Sequence, residues 1–155
     1  MKKIRNIFIS VAIPEIIGFI SAFLTAGTME MYKNLNQPAF SPPGWIFGPA
    51  WLILYGLMGY ASYRIWQKKD IQNIKPALIY YGIQLILNFA WSLIFFRFAF
   101  RGIALIEILV LLALIIITTI EFYKIDRIAA YLIFPYIGWV SFAAILNYSI
   151  WMLNR

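Results

Sequence analysis

Five apolar segments, each long enough to cross a lipid bilayer, constrain the fold more than any other feature of the sequence. They cover residues 4–26, 45–66, 76–96, 102–122 and 128–153. A transmembrane helix needs roughly 20 apolar residues, and a segment in lipid must satisfy its own backbone hydrogen bonds, which excludes open strands. The sequence therefore predicts an all-α integral membrane protein: a bundle of five transmembrane helices that forms one domain over residues 1–155.

Composition supports a chain embedded in lipid and excludes several classes of function. Hydrophobic residues make up 63% of the chain and charged residues 12%, whereas about 25% of the residues in soluble domains are charged. Cysteine and histidine are absent, which excludes disulfides, thiol catalysis and the commonest metal ligand. The net charge of +7 lies in short clusters between apolar segments, as is typical of membrane proteins. The expected partner is the lipid bilayer and not nucleic acid.

The lysines and arginines are unevenly divided between the two ends of the predicted bundle. Nine of the 13 lie at the N-terminus and in the second and fourth connections. The other end holds the remaining four: Lys33, Arg97, Arg101 and Arg155. Because basic residues accumulate on the cytoplasmic side, we expect a cytoplasmic N-terminus and an outer position for the long first connection. The lysine- and isoleucine-rich composition favours a bacterial cell membrane.

Four of the predicted helices carry distinctive side chains at helical spacing. Three segments carry stripes of aromatic and polar residues. The stripe of the second segment is Trp51, Tyr55, Gly59, Ser62 and Trp66, and that of the third is Tyr81, Gln84, Asn88, Ser92 and Phe95. The stripe of the fifth segment is Pro135, Trp139, Phe142, Leu146 and Ser149. The first segment carries Gly18, Ala22 and Ala26, a spacing that permits close helix approach. Residues three and four apart share one helix face. The stripes are compatible with ordinary packing between helices or with the lining of a pocket for a flat apolar ligand.

Two acidic residues lie within the apolar segments. Glu15 follows Pro14 in the middle of the first segment, where a carboxyl is costly and hence a candidate functional group. A protonated Glu15, or one hydrogen-bonded to a neighbouring helix, explains the sequence equally well. Glu107 lies near the start of the fourth segment and can pair with Arg101 or Arg97 close to the membrane surface.

Three motifs together resemble one known family. They are "SPPGWIFGPAW" at 41–51, "LNFAWSLIFF" at 87–96 and "FPYIGWVSFAAILNYSIWMLN" at 134–154. Their spacing of proline, tryptophan and asparagine resembles the TspO/MBR family of translocator and tryptophan-rich sensory proteins, over essentially the whole chain. The resemblance implies a five-helix bundle whose first loop caps a ligand cavity, with Pro43 in the hinge that enters the second helix. It also implies a possible homodimer.

The resemblance further implies a ligand and the residues that bind it. Members of the family bind tetrapyrroles such as protoporphyrin IX and related hydrophobic molecules. Trp51 and Trp139 resemble the tryptophan pair that faces bound ligand, and Asn88 resembles an asparagine that donates to ligand carbonyls. The implied ligand-binding residues are Tyr32, Pro43, Phe47, Trp51, Tyr55, Asn88, Trp91, Ser92, Trp139, Ala143 and Leu146.

Three functions are compatible with this resemblance. The first expectation is a membrane receptor or sensor for tetrapyrroles. The alternatives are light-dependent porphyrin degradation, with Trp51 and Trp139 as the catalytic residues, and a transporter of porphyrin or lipid. A chain without histidine, cysteine or a metal cluster lacks the usual residues for hydrolysis or for redox catalysis in the dark. Porphyrin is therefore expected as a ligand, and no cofactor is required.

Overall fold

The structure, a computed structural model, describes all residues 1–155. It contains six α-helices: α1 (Lys2–Leu24), α2 (Met29–Lys33), α3 (Phe47–Trp66), α4 (Lys75–Ser92), α5 (Arg101–Ile125) and α6 (Arg127–Leu153). The predicted number of five is wrong, because the first connection contains the short helix α2. A helix of five residues is too short to give an apolar periodicity from which to predict it. A 3₁₀ turn at Gly44–Ile46 precedes α3, and a π-helical segment at Leu93–Arg97 extends α4.

Four of the helices are long and apolar enough to cross a membrane, namely α1, α4 with its π-helical extension, α5 and α6. The protein is therefore an integral membrane protein. Helix α3 has 20 residues, which is long enough to span, but its glycines, tyrosines, tryptophans and Arg64 lower its mean hydropathy. Composition thus supports four of the five predicted spans. Helix α3 buries 8 of its 20 residues, including Tyr55, Ser62 and Tyr63, so part of its polar and aromatic face packs against protein.

The five long helices pack as a closed ring in which neighbours touch in the order α1, α3, α6, α5, α4 and back to α1. Helices α1 and α3 approach each other closely at Gly59. A Cβ on Gly59 would lie 2.5 Å from Cα of Val11, so only glycine fits there. Elsewhere α1 exposes large apolar side chains, among them Phe8 and Phe23, as expected of a surface that contacts lipid.

Polar contacts join the chain at each end of the bundle. The Arg64 guanidinium lies 3.0 Å from the Asp126 carboxylate, which also accepts the backbone N–H groups of Ile128 and Ala129 and caps α6. At the other end, the first loop is hydrogen-bonded to Asn154 beyond α6. These contacts place the α5–α6 connection beside the end of α3, and the first loop beside the C-terminal end. The end that faces the cytoplasm stays a prediction.

Candidate ligand-binding site

Helices α3 and α6 bring the two predicted tryptophans together. The ring centroids of Trp51 and Trp139 are 6.3 Å apart, with the planes at 86°. Phe47 contacts Trp139 at 6.0 Å, also edge to face, and Trp51 stacks on Tyr55 at 5.4 Å. Edge-to-face and offset-stacked pairs are the favoured aromatic geometries. The sequence stripes of α3 and α6 therefore meet in one aromatic cluster.

The first loop covers this cluster through Tyr32 of α2, which is 2% exposed. Its ring lies 5.7 Å from Phe47 and 5.6 Å from Phe96. The Gln37 amide donates to the Tyr32 carbonyl at 2.6 Å, and Ser41 donates to Gln37 at 2.6 Å, so the loop is braced internally. Burial raises the pKa of the Tyr32 hydroxyl above its usual range, which keeps the hydroxyl protonated and neutral under the loop.

The aromatic cluster is closed in this conformation. The space left inside it is about 10 Å³, lined by Tyr32, Phe47, Trp51, Trp91, Phe95, Phe96, Trp139, Ala143, Leu146 and Asn147. Seven of the 11 implied ligand-binding residues belong to this lining. A volume of about 10 Å³ is at the lower limit for one water molecule. The structure thus gathers these residues, but their own side chains fill the predicted cavity.

A buried chain of hydrogen bonds lies beside the cluster. The Tyr55 hydroxyl donates to Oδ1 of Asn88 at 2.9 Å, and Nδ2 of Asn88 donates to the Tyr136 hydroxyl at 2.6 Å. Tyr136 in turn donates to Oε1 of Gln84 at 2.8 Å. Both polar atoms of Asn88 are therefore bonded within the protein, as required of a buried amide. Asn88 is fully buried, so a ligand carbonyl could reach its amide only if neighbouring side chains moved.

The sequence motifs did not single out Tyr136 as part of this chain. Tyr136 follows Pro135 and is 1% exposed. Its spacing to Val140, Ala143 and Asn147 is that of one helix face, and these residues are buried in α6. That buried face lies beside the stripe of Trp139 and Phe142. A tyrosine on such a face needs a polar partner, which is the signal that identifies it.

A second, larger space lies between α1 and α3, and we call it the α1–α3 cleft. Its volume is about 490 Å³, which is typical of small-molecule sites. Its lining comes from α1, the first loop, α3 and the end of α4: Glu15, Gly18, Phe19, Ser21, Ala22, Thr25, Ala26, Gly27, Thr28, Met29, Gly44, Phe47, Gly48, Trp51, Leu52, Tyr55, Ser92 and Phe96. Phe19 and Leu52 are more than half exposed, so the cleft opens sideways between the two helices.

Small residues at the end of α1 line this cleft. Ala22 of α1 and Ala26, two residues beyond its end, line the cleft, whereas their spacing predicts a close helix approach. Helices α1 and α3 approach closely nearer the other end, at Gly59, and at Gly18, where a Cβ would lie 2.5 Å from the Tyr55 ring. Helices α1 and α3 are in contact from Ser10 to Gly18 and diverge after Gly18. The two alanines, which follow Gly18 in the sequence, therefore border the cleft. The small-residue prediction therefore holds for one part of α1 only.

The other implied residues lie at the edge of these spaces or outside them. Tyr55 and Ser92 line the cleft. Pro43 has φ −58° and ψ 145°, an extended conformation typical of proline before a helix, and it lines neither space. The pairing of Glu107 with Arg101 or Arg97 does not form, because both carboxyl oxygens of Glu107 are buried without a hydrogen-bond partner.

Comparison with known proteins identifies the family. The model of the TspO/MBR family matches residues 10–152. The chain belongs to this family. It is 36% identical to the translocator protein of Homo sapiens over 138 residues, which cover 87% of this chain and 81% of that protein.

Prokaryotic members of the TspO/MBR family are similar to the same degree. Identity to the tryptophan-rich protein TspO of Archaeoglobus fulgidus is 37% over 139 residues, covering 89% of this chain and 90% of that protein. Identity to the tryptophan-rich sensory protein of Cereibacter sphaeroides is 35% over 125 residues, covering 81% and 77%. The resemblance inferred from the three motifs is thereby confirmed.

Proposed function

We propose that this TspO/MBR protein is a membrane receptor or sensor that binds a tetrapyrrole of the protoporphyrin IX type in the α1–α3 cleft. The observation that carries the proposal is a cleft of about 490 Å³ with Trp51 stacked on Tyr55 in its wall. The names "translocator protein" and "tryptophan-rich sensory protein" borne by its relatives support a role in sensing or handling a membrane-soluble molecule.

The lining of the cleft suits the two kinds of surface that a porphyrin presents. Its flat faces stack on indole and phenol rings, each pair contributing about 0.5–1.5 kcal/mol beyond the burial of apolar area. Its two propionates need water or a cation. The Cε atom of Lys33 lies 3.9 Å from the position of a Cβ on Gly44, which lines the cleft beside the loop. Lys33 therefore provides a positive charge near the loop end of the cleft.

The proposal is tested by quenching of tryptophan fluorescence with protoporphyrin IX, in the dark, on purified protein in non-ionic detergent. Wild-type protein should show saturable quenching. Ala22→Phe fills the cleft and should weaken the binding at least tenfold. Ile16→Phe is the matched control, since Ile16 lies on the same helix with its side chain 55% exposed. Linear quenching that is identical in all three proteins would mean that porphyrin only partitions into micelles, and the proposal would be wrong.

Light-dependent porphyrin degradation is a second candidate, favoured by the position of Trp51. This residue lines the cleft and also contacts Trp139, which lies behind it in the aromatic cluster. Under light and dioxygen, a porphyrin bound in the cleft would therefore have an indole beside it. The test compares the loss of porphyrin absorbance in wild type, Trp51→Phe and Trp139→Phe under equal illumination. Equal rates in wild type and Trp51→Phe would reject a specific part for this tryptophan.

A further inference from the structure

Glu15 is the only charged residue that lines the α1–α3 cleft. Its Oε1 atom is buried and has no hydrogen-bond partner. The other polar side chains of the lining are hydroxyls: Ser21, Thr25, Thr28, Tyr55 and Ser92. The Tyr55 hydroxyl, on the facing helix, already donates its proton to Asn88, and Thr25 donates to the Ser21 carbonyl at 2.9 Å.

The carboxyl also lies far from the charged ends of the bundle. Glu15 is 13 residues from the start of α1 at Lys2 and 9 residues from its end at Leu24. At 1.5 Å per residue these separations are about 20 Å and about 14 Å. The two ion pairs of the protein, Arg64–Asp126 and Lys124–Glu121, lie at one end of the bundle and do not involve Glu15. An ionised carboxyl at this depth is costly without a partner, and a cationic group that enters the cleft would supply one.

We infer that Glu15 makes the cleft selective for apolar molecules that carry a basic amine. The ammonium group donates to the Glu15 carboxylate, and the apolar body lies against Phe19, Leu52 and Trp51. Charge-assisted hydrogen bonds are stronger than neutral ones, and the attraction is larger in a cleft of low dielectric constant than in water. The same negative charge repels an acidic group, so an acidic ligand would place its acid at the Lys33 end.

This inference rests on the proposed function only because both place the ligand in the same cleft. It adds the chemical group, a basic amine, that the ligand carries at the end facing Glu15. A matched pair of probes tests it: 9-(aminomethyl)anthracene, a cation at neutral pH, and 9-(hydroxymethyl)anthracene, a neutral molecule of nearly the same shape. Both quench tryptophan fluorescence by energy transfer. In wild-type protein the amine should bind at least tenfold more tightly than the alcohol, a difference of about 1.4 kcal/mol.

Variants locate the source of this preference. Glu15→Gln keeps the shape of the side chain and removes its charge, so the amine should bind only as tightly as the alcohol, whose own affinity should not change. Glu107→Gln is the matched control, because Glu107 is a second intramembrane acid with unpartnered oxygens and does not line the cleft. It should retain the full preference. Ala22→Phe, which fills the cleft, should abolish saturable binding of both probes.

Several outcomes would overturn the inference. Equal affinity of amine and alcohol for wild-type protein would do so without any variant, whatever the stability of Glu15→Gln. A preference that survives Glu15→Gln, or amine binding that survives Ala22→Phe, would place the amine elsewhere. Protoporphyrin IX titrated into the same preparations separates the two proposals. Saturable amine binding with non-saturable porphyrin quenching would reject the tetrapyrrole receptor alone, and the reverse result would reject the role of Glu15 alone.

Discussion

Asn154, just beyond the end of α6, is doubly hydrogen-bonded to the backbone of Asn36 in the first loop. Its Nδ2 donates to the Asn36 carbonyl at 2.8 Å, and its Oδ1 accepts the Asn36 N–H at 3.0 Å. The two residues are 118 positions apart in the sequence. The same loop carries Tyr32 over the aromatic cluster. The two hydrogen bonds therefore hold the loop that covers the cluster against the end of α6.

Asn154→Ala should loosen the loop without unfolding the bundle. The lost hydrogen bonds are worth about 0.5–1.5 kcal/mol each, so local opening of the loop should become roughly tenfold more frequent. Hydrogen exchange followed by mass spectrometry should show faster exchange across residues 28–43 and no change in α3 or α5. Asn34→Ala, an exposed asparagine of the same loop, is the control. Faster exchange confined to the end of α6 would show that the pair does not hold the loop.

Asn88→Leu should destabilise the protein by removing the centre of the buried hydrogen-bond chain. It leaves the Tyr55 hydroxyl without a partner and the Tyr136 hydroxyl with Gln84 alone, and an unsatisfied buried group costs about 1–3 kcal/mol. Unfolding in mixed micelles should show the loss. Ser92→Ala, one turn further along the same helix and facing the cleft, should have little effect.

A double-mutant cycle checks the cause of this effect. Tyr55→Phe removes the hydroxyl that donates to Asn88, so combining it with Asn88→Leu should cost less than the sum of the two single losses. Strictly additive losses would mean that the two residues act independently. The hydrogen bond between them would then contribute nothing measurable.

Much of this architecture could be predicted from the sequence because apolar length and helical spacing are local properties. The five long helices follow from five apolar segments, and the stripes of α3 and α6 place Trp51 and Trp139 on facing surfaces. The same local reasoning misses α2, because a helix of five residues is stabilised by the burial of Tyr32 under the loop and not by its own periodicity.

The form of the site depends on contacts that no local pattern encodes. Spacing places Asn88 on an inward face, but its partners Tyr55 and Tyr136 come from two other helices, 33 and 48 positions away. Whether the aromatic residues enclose a ligand or fill their own space depends on side-chain packing across the ring of helices. The cleft likewise depends on where α1 and α3 diverge, which the small residues of α1 alone do not determine.

Gly59→Ala should weaken the packing of α1 against α3. Its Cβ would lie 2.5 Å from Cα of Val11 and 2.7 Å from the Ser10 carbonyl oxygen, both backbone atoms that cannot rotate away. Overpacking of this kind costs about 1–3 kcal/mol. Gly56→Ala is the matched control in the same helix, since nothing lies within 4 Å of its Cβ position, and it should be neutral or stabilising by up to about 1 kcal/mol. Thermal unfolding in detergent compares the two, and equal melting temperatures would show that the helices separate at little cost.

Asp126 should show two separable contributions, because it both pairs with Arg64 and caps α6. Asp126→Asn retains an oxygen that accepts the N–H groups of Ile128 and Ala129 but removes the charge, so it loses only an ion pair worth about 0–1 kcal/mol. Asp126→Ala removes the cap as well, which adds about 0.5–2 kcal/mol. The free energies of unfolding should therefore fall in the order wild type, Asp126→Asn, Asp126→Ala. If the two variants are equally unstable, the charge outweighs the cap, and Arg64→Gln should then match both.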